Sequence, residues 1–491
     1  HQMVKNNYNI IFKSTFLFGF VQAFNILAKV ILNKVAAVTL GSQGIGLIGL
    51  YNSAIGMLKT GTSLGIPTTA VRDVSESNQK NDIELLSKTI VTTNKIIIIT
   101  ASLGLFVTIV LSDLLSQLTF GNSSHIDSFI IISLAVALTT LWEGQLAILK
   151  GMRRLKLLAK ANIFGASVGL CISVPLYLIY EMEGIIPVLI TTPFCSLLLS
   201  NYYVRKIKYK RIKLSYKELY QNASSMVKMG IVLSFTTFLG QLSTFAIITY
   251  IGKQGSLETL GFYNAGVIIM VGYFSVIINA LTTDYFPRIS AVNMDNNKLQ
   301  MELNQQSIVS LLLTFPLIVL FLFLLPFLIT FLYSSEFYPL IDFVRIGIYG
   351  TFITIISNQI DLILVAKNET KVFTIIAIIY RSIEVLVNIF LFKAYGLVGL
   401  GISIVLTGVV HILIMSIMVN RLYKIKFDKL FIKTAILILL FIFLTSYISL
   451  FDNLIIRYSL ASVFFVFSCF FSFYFSKKYL DFNILNILSK N

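Results

Sequence analysis

Amide and charged side chains recur at helical spacing inside long apolar stretches of this sequence. Two stretches near the start of the chain carry them three or four positions apart: Gln22, Asn25, Lys29 and Asn33 in the first, and Asn52, Gly56, Lys59 and Ser63 in the second. Residues at this spacing share one face of an α-helix. In an apolar setting such a face must contact protein or water, because lipid cannot satisfy its hydrogen bonds. The two lysines could there bind an anion, and the amides could hydrogen-bond to a polar ligand.

Further candidates lie in other apolar stretches: Gln241 and Arg381 for substrate binding, and Asp361, Glu143 and Glu384 for ion coupling. An ionisable group in the middle of a membrane costs at least ~2.5–3.5 kcal/mol, which favours a functional reason for keeping it. Arg381 and Glu384 are three residues apart and could instead pair with each other. Asp361 could pair with Arg381 or take part in ion coupling. Glu143 has no partner close to it in the sequence.

Plainer explanations stay open for several polar residues. Lys29 lies near the end of its stretch and could extend its ammonium group to the membrane surface. Hydroxyl side chains on the predicted seventh helix could form hydrogen bonds between helices and have no further role. His411 is more typical of a hydrogen-bonded helix contact than of a proton relay. Asp342 and Arg345 have the spacing of a local ion pair.

Composition places the chain in a membrane. It has 491 residues, of which 56% are hydrophobic and 12% charged, with a mean hydropathy of +0.85. A soluble domain carries about 25% charged residues, so that class is excluded. The net charge of +17 does not indicate nucleic-acid binding, because the basic residues lie in short segments between apolar runs. The three cysteines lack ligand spacing, and neither a metal nor another cofactor is expected.

The apolar runs predict an all-α integral membrane protein. A run of about 20 apolar residues can cross a bilayer as one helix, and about fourteen such runs are present. They lie near residues 10–33, 45–69, 89–111, 126–149, 161–180, 184–204, 229–250, 259–285, 307–333, 341–366, 372–392, 397–420, 431–450 and 455–476.

Lysine and arginine predict the orientation of these spans. Basic clusters follow the fourth, sixth and twelfth spans, at residues 150–160, 205–217 and 421–429, whereas the alternate connections hold few basic residues. The positive-inside rule therefore places both termini in the cytoplasm. The first outer connection is expected at about Lys34–Gly44. The next, 111–127, contains no Lys or Arg.

A glycine-rich hairpin occurs twice in the sequence. Gly41–Gly44 precedes Gly49-Leu50-Tyr51-Asn52, and Gly252–Gly255 precedes Gly261-Phe262-Tyr263-Asn264. Glycine permits a tight reversal between two apolar runs. Duplicated bundles are typical of transporters. The repeat predicts a first lobe of six helices at 1–204, a basic cytoplasmic linker at 205–228, a second lobe at 229–420, and a C-terminal helix pair with a short tail at 421–491.

The chain resembles the polysaccharide transport family of the multidrug/oligosaccharidyl-lipid/polysaccharide (MOP) exporter superfamily, which contains the bacterial O-antigen and capsule-repeat flippases. The resemblance is carried by the first hairpin, by Leu64-Gly65 with Arg72, by the basic turn 150–154 and by Tyr395–Gly401. It covers essentially the whole chain. It implies two pseudo-symmetric six-helix lobes, arranged as in the multidrug and toxin extrusion (MATE) transporters, around a cavity lined by helices one, two, seven and eight.

The resemblance also implies a function. The protein would move an undecaprenyl-pyrophosphate-linked oligosaccharide, such as an O-antigen, capsule or exopolysaccharide repeat unit, across the bacterial inner membrane by alternating access. The pyrophosphate would bind cations in the cavity, the sugar would bind the amides, and the polyprenyl tail would stay in lipid. The expected partners are this lipid-linked glycan and the bilayer, with a polysaccharide polymerase as a candidate partner and no nucleic acid.

Two other functions stay open. A cation-coupled, MATE-like drug exporter would favour a cavity dominated by carboxylates, whereas the first predicted lobe carries lysines. A membrane glycosyltransferase or polysaccharide polymerase would need a sizeable outer loop with catalytic side chains, and the predicted outer connections are short. Phosphate-loop, zinc-protease and serine-hydrolase motifs are absent from the sequence, so an enzyme is not expected.

Overall fold

A computed structural model describes residues 2–80, 82–207, 209, 212–451 and 453–479. Side chains are described from residue 21 onward, except at 280, 283, 284 and 479. Lys208, Lys210 and Arg211 of the predicted linker lie outside the described residues, as does the predicted tail after 480.

Long helices make up most of the described chain. They are α1 (Gln2–Thr62), α2 (Ile66–Gln79), α3 (Ile83–Val110), α4 (Ser112–Phe120), α5 (Ile126–Gly151), α6 (Leu155–Tyr180), α7 (Ile185–Val204), α8 (Tyr216–Gln254), α9 (Leu257–Val267), α10 (Phe274–Ala291), α11 (Asn296–Leu332), α12 (Ile341–Ala366), α13 (Thr370–Tyr423), α14 (Lys429–Ile448) and α15 (Leu454–Tyr479). Two short 3₁₀ segments and one π-helical turn join some of them.

Eleven helical stretches in the described residues are long and apolar enough to cross a membrane. Three of them are long: Val21–Thr62 contains most of the first two predicted spans, and Leu155–Val204 and Thr370–Tyr423 each contain two. At 42, 50 and 54 residues they have the length for two crossings of about 20 residues each. The fourteen predicted spans are helical over most of their length, with the clearest break at 63–65 between α1 and α2, which confirms the prediction of an all-α, multi-pass membrane protein.

The helix α1 contains a reversal at Gly41. This residue has φ +65° and ψ −166°, a conformation that essentially only glycine adopts. Gln22 and Lys59 would be about 55 Å apart in a straight helix. Both nevertheless contact the last third of α5, where Gln22 shares a pocket with Leu146 and Lys59 bonds to Glu143. The two segments of α1 therefore run back along each other.

Three predicted connections contain more helix than the sequence indicated. The expected outer loop Lys34–Gly44 is helical apart from the reversal at Gly41. The segment 111–127 contains α4, and the second half of the predicted linker belongs to α8, which begins at Tyr216. The reason at α8 is a capping box. Ser215 Oγ accepts from the Glu218 backbone N–H, and the Glu218 carboxylate accepts from the Ser215 backbone N–H.

The chain divides into two compact units, of which the first comprises His1–Gly261 and Leu332–Ser334. Within it α5 packs against α2, α3 and α7, and α1 packs against α6 and α8. Two glycines allow backbones to approach each other closely in this unit. A Cβ added at Gly46 would lie 2.0 Å from Leu257 O, and one added at Gly65 would lie 2.1 Å from Gly230 O. The side chain of Lys34 reaches the backbone oxygen of Tyr333.

The second unit comprises Phe262–Phe331 and Ser335–Asn491. Among its described helices, α12 and α13 have the most extensive packing. The C-terminal helices pack on it through aromatic rings, since Phe441 of α14 stacks on Phe467 of α15 at 4.6 Å and meets Phe315 of α11 edge-on at 5.9 Å. A hydrogen bond of 2.8 Å from Tyr349 of α12 to Ser446 Oγ of α14 adds a polar contact. Close packing and interhelical hydrogen bonds are what hold helices together in lipid.

Candidate functional site

An interhelical ion pair joins two of the predicted site residues. Lys59 Nζ on α1 lies 2.6 Å from Glu143 Oε1 on α5, across 84 residues of sequence. The two side chains are only 22% and 35% exposed. Neither residue has an oppositely charged neighbour three or four positions away on its own helix, so local sequence gives no sign of this pair.

The amide of Gln241 reaches the same face of α1. A Cβ added at Gly56 would lie 2.6 Å from Gln241 Oε1, so the Gln241 amide lies against the backbone of α1 at this glycine. Gly56 lies three residues before Lys59 and four after Asn52, on the polar face that the sequence predicted. Packing of α8 on α1 thus brings Gln241 to the stripe of Asn52 and Lys59.

Gln22 and Asn25 lie in a pocket between α1, α5 and α6, called here the α1–α5–α6 pocket. Its lining residues are Val21, Gln22, Asn25, Leu146, Lys150, Leu155, Leu158, Ala159 and Asn162. Leu146 and Lys150 follow Glu143 at positions i+3 and i+7 of α5, so one face of α5 carries the ion pair and the pocket. Sequence reasoning missed Lys150 and Asn162 as site residues, although Lys150 belonged to a basic cluster that it used for orientation.

Lys29 differs from Lys59 in its surroundings. It lies one turn beyond Asn25 on α1 and is exposed. Among the residues that the structure describes, no carboxylate pairs with it. The first unit therefore has one neutralised lysine, Lys59, and one lysine without a carboxylate partner, Lys29, on the two segments of α1.

The second unit gathers the remaining candidates on α12 and α13. Arg381 Nη1 donates to Glu384 Oε2 at 2.7 Å, which is the local pair that their spacing allowed. Asp361 Oδ1 lies 3.7 Å from His411 Nε2, and this oxygen accepts no hydrogen bond within the described residues. His411 Nδ1 lies 3.2 Å from Ser357 Oγ. Arg381 therefore pairs with Glu384, and the alternative ion pair with Asp361 is not formed.

The two groups of side chains differ in the chemistry they can perform. The first-unit residues include three ammonium groups (Lys29, Lys59 and Lys150), several amides and a single carboxylate, so they carry an excess of positive charge. This arrangement suits a polar, anionic ligand. In the second unit Arg381 is balanced by Glu384, and Asp361 lies beside an imidazole. In the described part of the chain, no three His, Cys, Asp or Glu side chains group as metal ligands would.

Comparison with known proteins places the chain in a family. A sequence model of the family described as "Polysaccharide biosynthesis protein" matches residues 35–342. No curated protein matches the chain.

Solved membrane transporters share the fold. The lipid II flippase MurJ, in an inward closed conformation, is 18% identical, with a TM-score of 0.65 over 96% of this chain and 99% of that one. An inward-facing MATE family multidrug resistance transporter of the MOP superfamily is 14% identical, with a TM-score of 0.68 over 82% and 96%. An outward-facing MATE family transporter of the same superfamily is also 14% identical, with a TM-score of 0.60 over 84% and 96%.

At these identities the structural likeness establishes the fold alone. The family match, by contrast, covers more than half of the chain and includes both glycine-rich hairpins. The chain therefore belongs to the polysaccharide biosynthesis protein family and has the fold of the MOP superfamily transporters.

Proposed function

We propose that this protein is a flippase and not an enzyme. It moves a polyprenyl-pyrophosphate-linked oligosaccharide, an O-antigen, capsule or exopolysaccharide repeat unit, from the inner to the outer leaflet of a bacterial inner membrane. Membership in a polysaccharide biosynthesis family and a fold shared with a lipid II flippase support this proposal. A lipid-linked glycan is the class of substrate that unites both observations.

One observation carries the proposal: Lys59 lies within a span, bonded at 2.6 Å to Glu143, on the polar face that Gln241 also contacts. A lysine within the hydrocarbon is costly unless an anion accompanies it. Glu143 supplies that anion in this structure. We propose that the substrate pyrophosphate takes its place during transport and also binds Lys29.

The sugar would hydrogen-bond to the amides of the same unit: Gln22, Asn25, Asn52 and Gln241. Arg381 is a further proposed substrate contact, and Asp361, Glu143 and Glu384 are the proposed groups for ion coupling. The polyprenyl chain stays in the bilayer throughout, since its transfer from lipid would expose apolar surface to water. Alternating access would then require two lobes, residues 1–204 and 229–420, to move against each other.

A drug exporter is the competing function, and the charges near Lys59 favour the flippase. A carboxylate-dominated cavity would attract cationic drugs, whereas here one carboxylate accompanies Lys29 and Lys59. Both termini are proposed to lie in the cytoplasm, on the positive-inside rule.

The test is complementation of a flippase-deficient strain at matched expression. Lys59→Gln and Lys29→Gln should each lose most surface polysaccharide, with lipid-linked substrate accumulating in the inner leaflet, and Lys59→Arg should retain part because charge matters more than shape here. Lys88→Gln is the matched control. Lys88 Nζ lies 2.8 Å from Glu84 Oε1, and this pair is not on the polar face of α1. Wild-type surface polysaccharide from the Lys29→Gln/Lys59→Gln double variant would contradict the proposal.

A further inference from the structure

The α1–α5–α6 pocket has four polar side chains that point to a ligand of its own. Lys150, Gln22, Asn25 and Asn162 line it from three different helices, and its other lining residues are apolar. A small apolar pocket with a few convergent polar groups is the usual form of a ligand site. The pocket residues of α1 are far in sequence from those of α5 and α6, whereas α5 and α6 are joined by a short turn.

The charges around this pocket favour an anion. The sequence from 144 to 180 contains no Asp or Glu, and none lines the pocket from α1. Within the described residues Lys150 forms no ion pair, in contrast to Lys59. Asn162 uses one amide N–H on Leu158 O at 2.9 Å and has a second to offer. The pocket therefore offers an ammonium group and amide donors to an acceptor-rich ligand.

The size of the pocket restricts that ligand. Its volume is about 90 Å³, which holds several water molecules or a phosphate group but not an oligosaccharide. Lys150 is the last residue but one of α5, which has the length of one membrane crossing. The pocket thus lies at the level where lipid headgroups meet water. Seven residues of α5 separate it from Glu143, a distance of about 10 Å along the helix.

We infer that the α1–α5–α6 pocket binds the phosphate of the lipid-linked substrate at the membrane surface, before the pyrophosphate moves about 10 Å inward to Lys59. The inference rests on the proposed function, because the phosphate belongs to the polyprenyl carrier. Lys150 supplies the charge, and Gln22, Asn25 and Asn162 supply neutral donors. An ordinary anionic phospholipid presents the same phosphate chemistry, so the experiment must separate the two sources.

The experiment measures binding of sugar-free polyprenyl diphosphate to the purified full chain in phosphatidylcholine nanodiscs. Lys150→Gln should weaken binding about tenfold, since it removes a hydrogen bond between two charged groups. Asn162→Leu should weaken it severalfold, and Lys150→Arg should retain most of it. Lys156→Gln is the matched control, because Lys156 belongs to the same basic cluster, is exposed in the first turn of α6 and does not line the pocket. It should leave binding close to that of the wild type.

Each outcome bears on the inference. Equal binding by wild type and by both Lys150→Gln and Asn162→Leu overturns it, as does the absence of saturable binding by wild type. If phosphatidylglycerol displaces the diphosphate at equal concentration, the pocket is a site for ordinary anionic lipid and the substrate claim is overturned. Should Lys150→Gln fail to fold, Asn162→Leu alone decides.

The Lys29→Gln/Lys59→Gln variant separates this inference from the proposed function. If that variant loses transport while Lys150→Gln leaves diphosphate binding unchanged, the pocket inference fails and the flippase proposal stands. If Lys150 controls diphosphate binding but the double variant still transports normally, the headgroup route through Lys59 fails and the surface site stands.

Discussion

Lys59 of α1 and Glu143 of α5 form a 2.6 Å ion pair inside the membrane-spanning part of the first unit. The pair neutralises a lysine that would otherwise be isolated in apolar surroundings. Under the proposed function, an anionic ligand can reach Lys59 only by displacing the carboxylate or by sharing the ammonium group with it. We therefore expect ligand binding at Lys59 to be coupled to the release of Glu143.

The first prediction concerns that release. Glu143→Gln should strengthen binding of a polyprenyl diphosphate about fivefold, because the ligand no longer competes with a carboxylate for Lys59; a partly exposed pair contributes about 1 kcal/mol. Binding to purified protein in nanodiscs measures this, with Glu84→Gln as the control that breaks an ion pair elsewhere. Unchanged affinity together with lost transport would instead assign Glu143 to ion coupling alone.

The second prediction concerns the reversal in α1. Gly41→Ala should destabilise the protein by about 1–3 kcal/mol, because a Cβ is strained at φ +65° and ψ −166°. Thermal unfolding in detergent, followed by size-exclusion chromatography, provides the measurement. Gly169→Ala is the control, since Gly169 lies inside α6 and its Cβ would make an ordinary 3.4 Å contact with Thr192 of α7. Equal stability of the two variants would show that Gly41 is not the constraint.

The third prediction concerns motion of α8 against α1. A Cβ at Gly252 would lie 3.6 Å from Leu50 Cδ1, so a short bifunctional methanethiosulfonate reagent should join Leu50→Cys to Gly252→Cys. If transport requires these helix ends to separate, the crosslink should block it and a reductant should restore it. Leu50→Cys alone controls for modification by the reagent. Transport at the full rate by the crosslinked protein would argue against movement between the proposed lobes at this contact.

The fourth prediction concerns orientation. Tyr216→Cys and Ser123→Cys, each in a chain without its native thiols, should respond oppositely to an impermeant maleimide on whole cells. Position 216 is used instead of 215, because Tyr216 is 93% exposed whereas the Ser215 side chain caps α8. The positive-inside rule predicts labelling at 123 and none at 216. The reverse pattern would place both termini outside.

Some features of this protein could be predicted without its tertiary structure. Hydropathy indicated the fourteen spans, because a lipid-exposed helix must be apolar over about 20 residues whatever packs beside it. The pairs Arg381–Glu384 and Asp342–Arg345 followed from spacing, since residues three apart on a helix are neighbours. Polar faces on α1 were visible for the same reason. All of these depend on the geometry of one helix.

The partners of those faces depended on packing. Lys59 meets Glu143, whereas Lys29 on the preceding segment has no carboxylate partner among the described residues, and nothing in the local sequence distinguishes them. The pocket at Lys150 likewise needs α1, α5 and α6 together. Sequence patterns specify which face of a helix is polar, but the side chain opposite that face is decided by how α1 reverses at Gly41 and lies along α5. Only the folded chain sets that arrangement, because it depends on contacts between residues far apart in sequence.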